Sequence, residues 1–135
     1  MNLIVCLDDN NGMLFNGRRQ SKDALLRMRV LRIAGEKGLW LNTYSAKQFE
    51  ESATLHVCED YLRCCEENDF CFVEDTDIRL YKDKIRFIYV YRWNRVYPAD
   101  TWFPFDALCG GKSPESVVNF PGNSHEMITE EVYRL

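Results

Sequence analysis

The stretch FCFVEDTDIRLYKDKIRFIYVYRWNRVYPADTWFPF, residues Phe70–Phe105, decides how this chain is read. Phe70–Val73 is a short apolar run bounded by acids, which predicts a buried strand, and Thr76–Tyr81 reads as a short helix after it. Ile85–Trp93 then mixes aromatic and β-branched residues, as a long strand does. Working outward, Leu3–Leu7 is another apolar strand, and Asp8–Gly17, rich in Asn, Asp and Gly, reads as a loop. Ser21 can cap a helix from Lys22 to about Ala34, ended by Gly35 and Gly38. Leu39–Leu41 predicts a short strand, Ser45 to about Glu51 a helix, Thr54–Val57 a strand, and Glu59–Glu67 a helix. Ser116–Phe120 and Met127–Tyr133 are the last strands, joined through a turn at Pro121-Gly122-Asn123. Strands alternating with helices and closed by an antiparallel pair predict an α/β fold. Its sheet is mixed, of about seven strands, with helices on both faces and antiparallel C-terminal strands.

With 135 residues and neither repeat nor linker, one domain, residues 1–135, accounts for the chain. No stretch approaches the roughly 18 apolar residues of a membrane span. The N-terminal MNLIVCLDDNNG lacks a basic leader, so a cytoplasmic home is expected. The six cysteines, Cys6, Cys58, Cys64, Cys65, Cys71 and Cys109, show no regular disulfide framework and read as reduced, buried thiols. His56, Cys58, Cys64 and Cys65 lack the C-x2-C spacing of a zinc site, so no metal is expected.

Charge is distributed unevenly. Residues 1–49 hold eight basic and four acidic groups, residues 50–77 one basic and ten acidic, and residues 78–135 eight and seven. An acidic block of this density attracts a basic partner, although a solvated helix face would also account for it.

The order of these elements, together with Asp100-Thr101-Trp102-Phe103-Pro104 after the long strand, resembles dihydrofolate reductase. LIVCLDDNNGMLFNG is similar to that family's first strand and the loop that covers its substrate, with Asn16-Gly17 at the turn. Pro114-Glu115-Ser116 and Glu131-Val132-Tyr133-Arg134 resemble its last two strands. The resemblance implies a dihydrofolate-reductase-like sheet, and it also marks departures at each functional position. Where the family has a Gly-Gly pair that lets the backbone approach a pyrophosphate, this chain has Glu74-Asp75, whose charges would repel it. The family's Leu-Pro-Trp step is Arg19-Gln20-Ser21 here. The carboxylate that supports pterin protonation falls on Leu26, counted forward from Asn16 or backward from Lys37. A Gly-Arg pair at the end of the second strand becomes Asn42-Thr43, with only the hydroxyl of Ser45 retained from the helix start. The short run from Phe49 to Leu55 leaves no room for an edge strand or the tail-binding arginine. Asp100-Thr101 persists, as readily a scaffold position as a functional one.

Other chemistry is weaker. Asp23, one turn before Leu26, could replace the missing acid but reads more simply as a first-turn residue favoured by the helix dipole. The basic set Arg18, Arg19, Lys22, Arg27, Arg29 and Arg32 has no interleaved aromatic platform, which argues against nucleic acid. His56 and His125 form no recognisable triad with Ser and Asp. Tyr89, Tyr91, Trp93 and Tyr97 alternate as core residues, or as an aromatic partner surface. The sequence therefore predicts a non-catalytic protein on a reductase scaffold, with no catalytic residues and no cofactor. Its expected partner is a protein with a basic surface, held by an acidic face of Glu59, Asp60, Glu66, Glu67, Asp69, Glu74 and Asp75. Such a protein suits an inhibitor or decoy of a nucleic-acid-binding partner. The competing expectation is a divergent NADPH-dependent reductase with a rebuilt site.

Overall fold

The computed structural model describes residues 1–50 and 53–135. Its first strand, β1 (Asn2–Leu7), shows how the core is divided. Successive strand side chains point to opposite faces, so Leu3, Val5 and Leu7 enter one apolar layer and Ile4 the other. β2 (Gly12–Phe15) and β3 (Arg18–Arg19) follow, then α1 (Ala24–Ala34), a 3-10 turn (Gly35–Lys37), β4 (Leu39–Leu41) and α2 (Thr43–Ala46). Next come β5 (Leu55–Val57), α3 (Tyr61–Cys64), β6 (Phe70–Phe72), a 3-10 segment (Arg79–Lys84) and β7 (Phe87–Arg92). β8 (Thr101–Trp102), α4 (Phe105–Cys109), β9 (Ser116–Phe120) and β10 (Ile128–Arg134) complete the chain.

The main sheet has the seven strands expected, in the order β5-β4-β6-β1-β7-β10-β9. The first five are parallel, while β10 runs antiparallel to both β7 and β9. α1 covers one face because Leu26, Val30 and Ala34 recur at four-residue spacing and sink against Ile4, Phe72 and Tyr91. Of its arginines, Arg32 is exposed, while Arg29 reaches in to pair with the buried Glu130 at 2.6 Å. The other face packs Leu3, Val5, Ile88 and Val90 against Tyr61 and Leu62 of α3 and Leu108 of α4. Among the described residues no helix is long and apolar enough to cross a membrane.

Several local expectations are corrected. α1 starts at Ala24, capped by Asp23 and not by Ser21, because the Asp23 carboxylate reaches the Leu25 and Leu26 N–H groups. The helix expected over 76–81 is the 3-10 segment Arg79–Lys84, and that over 59–67 shrinks to Tyr61–Cys64. The expected helix from Ser45 is Thr43–Ala46, capped by Asn42; its expected end at Glu51 lies outside the described residues. Asp8–Gly17 is not simply a loop. It contains β2, which pairs with β3 and β8 in a second, three-stranded sheet, and the buried Asp8 carboxylate pins this arm by accepting from the Gly12, Asn10 and Tyr97 N–H groups. Cys65 and Cys71 are joined as a disulfide, contrary to the expectation of six reduced thiols, because the end of α3 and the middle of β6 bury their side chains in the same layer. Trp93 and Tyr91 are core residues, not an exposed aromatic row.

Phe72 is 2% exposed and packs edge-to-face with Phe49, whereas Leu80 is 91% exposed. Phe72→Ala is expected to cost about 3–5 kcal/mol in urea unfolding, and Leu80→Ala less than about 0.5 kcal/mol.

Candidate functional site

In open α/β sheets, ligands bind beyond the carboxyl ends of the parallel strands. Here that rim is formed by Asp8 after β1, Asn42-Thr43 after β4, Cys58-Glu59-Asp60 after β5, and Glu74-Asp75 after β6. The chain's own side chains fill much of it. Glu74 is buried and accepts Arg19 Nε at 2.9 Å and Nη2 at 3.1 Å, with Gln48 Nε2 at 3.1 Å. The Arg19 guanidinium lies 4.4 Å over the Tyr44 ring, and the Arg19 backbone N–H donates to Tyr44 Oη at 3.0 Å. This bidentate pair straps β3 across α2 and the end of β6.

Below the strap, Leu26 is 2% exposed and lines a cleft with Cys6, Met13, Phe72 and Trp93. About 10 Å³ remain open there, roughly one water molecule's room. Burial pushes the Cys6 thiol up, so the cleft floor carries no thiolate. Asp23 offers no free carboxylate to this cleft. That carboxylate borders the cleft, but its Oδ1 accepts from the N–H groups of Leu25, Leu26 and Asn123. Its Oδ2 takes Ser124 N–H at 2.8 Å, Ser124 Oγ at 3.2 Å and His125 Nδ1 at 3.0 Å. Two oxygens offer about four lone-pair sites, so none is left for a ligand. Burial alone would raise the Asp23 pKa, but the Asn123 and Ser124 N–H groups, with His125 and Leu26, hold it well below the usual carboxylate range.

The seven acids expected to form one face are divided. Glu59, Asp60 and Asp75 are exposed at the carboxyl rim, where Glu59 accepts the Thr43 N–H at 3.1 Å and Asp75 accepts Asn42 Nδ2 at 2.9 Å. Glu66, Glu67 and Asp69 lie at the opposite end, before β6 begins, and Glu67 pairs there with Arg86 at 3.4 Å. Glu74 is neutralised by Arg19 and leaves the face altogether, because the turn after β6 directs it inward. Asp100 Oδ2 accepts the Asn16 N–H at 2.9 Å, a scaffold bond. Among the described residues no group of three or more His, Cys, Asp or Glu side chains could hold a metal ion.

One constellation escaped the sequence reading. Ser21 Oγ lies 2.9 Å from His125 Nε2, whose Nδ1 faces Asp23, and the ring stacks on Trp93 at 4.5 Å between centroids. Ser, His and Asp thus do meet, contrary to expectation. The turn after β9 presses on the start of α1, a contact between residues about a hundred positions apart. The only local sign was Gly122, where a Cβ would come within 2.5 Å of Asp23 Oδ2.

No family model matches this chain, and no curated protein matches it. Among solved structures, it is similar to dihydrofolate reductase from Enterococcus faecalis complexed with NADP(H) and RAB-propyl. The TM-score is 0.59 at 10% identity, over 98% of this chain and 94% of that one. The fold is therefore dihydrofolate-reductase-like.

The depressed Asp23 pKa carries a stability consequence. A group lowered on folding stabilises above its unfolded value, roughly 3.9, and that contribution is lost as pH falls further. Asp23→Ala is expected to cost about 2–4 kcal/mol at pH 7, and to flatten the loss of stability between about pH 4 and 2, measured by urea midpoints across that range.

Proposed function

We propose that this chain is a dihydrofolate-reductase-fold protein that carries out no hydride transfer and acts by binding a basic macromolecular surface at the carboxyl rim of its sheet. The observation that carries the reading is the closed cleft, with Leu26 at its wall and the Arg19–Glu74 pair strapped across its mouth. A nucleotide would have to break a bidentate pair and then face Asp75 and Glu59. Outside the strap, Glu59, Asp60 and Asp75 flank the Asn42-Thr43 turn without an arginine or lysine partner among the described salt bridges. They form the compact part of the acidic block, whereas Glu66, Glu67 and Asp69 share their end of the sheet with Lys84 and Arg86. A protein partner with a basic patch fits this rim. An inhibitor or decoy directed at a nucleic-acid-binding protein is the form of action that such a surface suits.

Two measurements test it. Millimolar NADPH is expected to leave the melting temperature unchanged; a ligand at a hundred times its dissociation constant would add about 2.7 kcal/mol and several degrees. A clear upward shift would restore the reductase reading. With fluorescein-labelled decalysine as the basic probe, reversing Glu59, Asp60 and Asp75 to lysine should weaken binding at least about tenfold at low salt, where screening extends to about 30 Å. Reversing Glu66, Glu67 and Asp69 should weaken it less than about twofold. Equal effects would place the attraction in net charge alone and remove the rim as a site.

A further inference from the structure

Ser21, His125 and Asp23 are arranged as a nucleophile, a base and an orienting carboxylate, and nothing in the binding reading uses them. Asp23 is ionised and 2% exposed, so the buried imidazole nitrogen facing it at 3.0 Å is the one that carries the ring proton. In the neutral ring that leaves Nε2 as an acceptor, 2.9 Å from Ser21 Oγ. The ring is fixed on its flat side by Trp93 and along its edge by Asp23, so its orientation does not depend on a ligand. Tyr97 Oη lies 3.3 Å from the same Nε2. One lone pair cannot accept both hydroxyls well, and when Ser21 donates, the tyrosine O–H is free to point at another oxygen nearby. Ser21 is partly exposed and borders the small cleft; His125 borders an open groove of about 360 Å³ with Asn94, Arg95 and Met127; Trp93 borders both.

We propose that Ser21 is an activated nucleophile for short-chain carboxylic esters, with His125 as its base, Asp23 as the positioning residue and Tyr97 as the donor to the oxyanion. Ser21 Oγ attacks the ester carbonyl carbon while its proton passes to His125 Nε2. Collapse breaks the bond to the alcohol oxygen, and the alcohol leaves with that proton. Water, deprotonated by the same nitrogen, then cleaves the acyl-serine, releasing the carboxylic acid and restoring the Ser21 hydroxyl. The roughly 10 Å³ left beside Ser21 is about one water's room, too little for an acyl chain, so the ester must be presented from the open groove beside His125 and the shortest acyl group, acetyl, should react best. This site is separate from Glu59, Asp60 and Asp75, so failure of either proposal leaves the other standing.

The test uses the whole chain with p-nitrophenyl acetate. Expected are release of p-nitrophenolate faster than with free imidazole at equal concentration, and an acetyl adduct located on Ser21 by peptide mass spectrometry. Ser21→Ala, which removes one partly exposed oxygen, should lower the rate at least about a hundredfold and abolish the adduct. Tyr97→Phe should lower it about tenfold with Ser21 still labelled, and p-nitrophenyl octanoate should react at least about tenfold more slowly than the acetate. An adduct on lysine or tyrosine alone, an unchanged rate in folded Ser21→Ala, or no reaction above free imidazole would each overturn the proposal.

Discussion

A buried carboxylate with six polar groups within hydrogen-bond reach holds the start of α1 against the turn after β9. An ionised Asp23 removed from water would cost several kcal/mol if left alone. Three donors come from the start of α1 and its neighbour Asn123, and three more from Ser124 and His125. The same bonds fix where α1 begins. Once Asp23 is the cap, Leu26 falls in the first turn facing the sheet, Val30 and Ala34 follow it inward, and Ser21 is left outside the helix beside the imidazole. The position of one charge thus determines both the filling of the cleft and the composition of its rim.

The second charge of consequence, Glu74, follows different logic. Placed after a parallel strand with its side chain turned inward, it requires a cation within reach, and Arg19 supplies one with two parallel hydrogen bonds. Arg19 can do so only because β3 pairs with β2, whose position depends on Asp8 accepting the backbone of Gly12. The strap over the cleft is therefore anchored behind two neighbouring central strands, at Asp8 after β1 and at Glu74 after β6. Parting Arg19 from Glu74 without replacing either partner would expose an uncompensated, mostly buried charge, which disfavours any open form of the cleft.

What the sequence revealed and what it hid divide along the range of the interactions. β1, β6 and β7 were legible because their burial is written in neighbouring residues, and the antiparallel closing pair because its turn residues are local. Leu26 falls on the buried face of α1, whose four-residue apolar repeat with Val30 and Ala34 is local. The small sheet was missed because β2 pairs with β8 nearly ninety residues away, while its own Asn-rich composition reads as loop. The acidic block misled for a related reason: closeness in sequence was taken as closeness in space, and β6 runs through the middle of the block, sending Asp69 and Asp75 to opposite ends. Even adjacent acids diverge, since Glu74 turns in and Asp75 turns out.

A fold can be shared at 10% identity because its demands are modest: apolar residues at alternating positions, a helix with a four-residue apolar repeat, and turns of the right length. A site demands particular atoms at particular points, and a shared fold does not supply them. The cleft is chemically quiet, with an apolar Leu26 in its wall, a Cys6 thiol kept protonated by burial and, across its mouth, a carboxylate, Glu74, already paired. At the rim, by contrast, Ser21, His125 and Asp23 keep their polarity and their geometry. Polar groups so close to an apolar floor would be costly unless bonded to one another, so the network around Asp23 serves stability first. The same bonding sets the orientation of the imidazole beside Ser21, so a network that serves stability also brings a hydroxyl, a ring nitrogen and a carboxylate together at one end of α1.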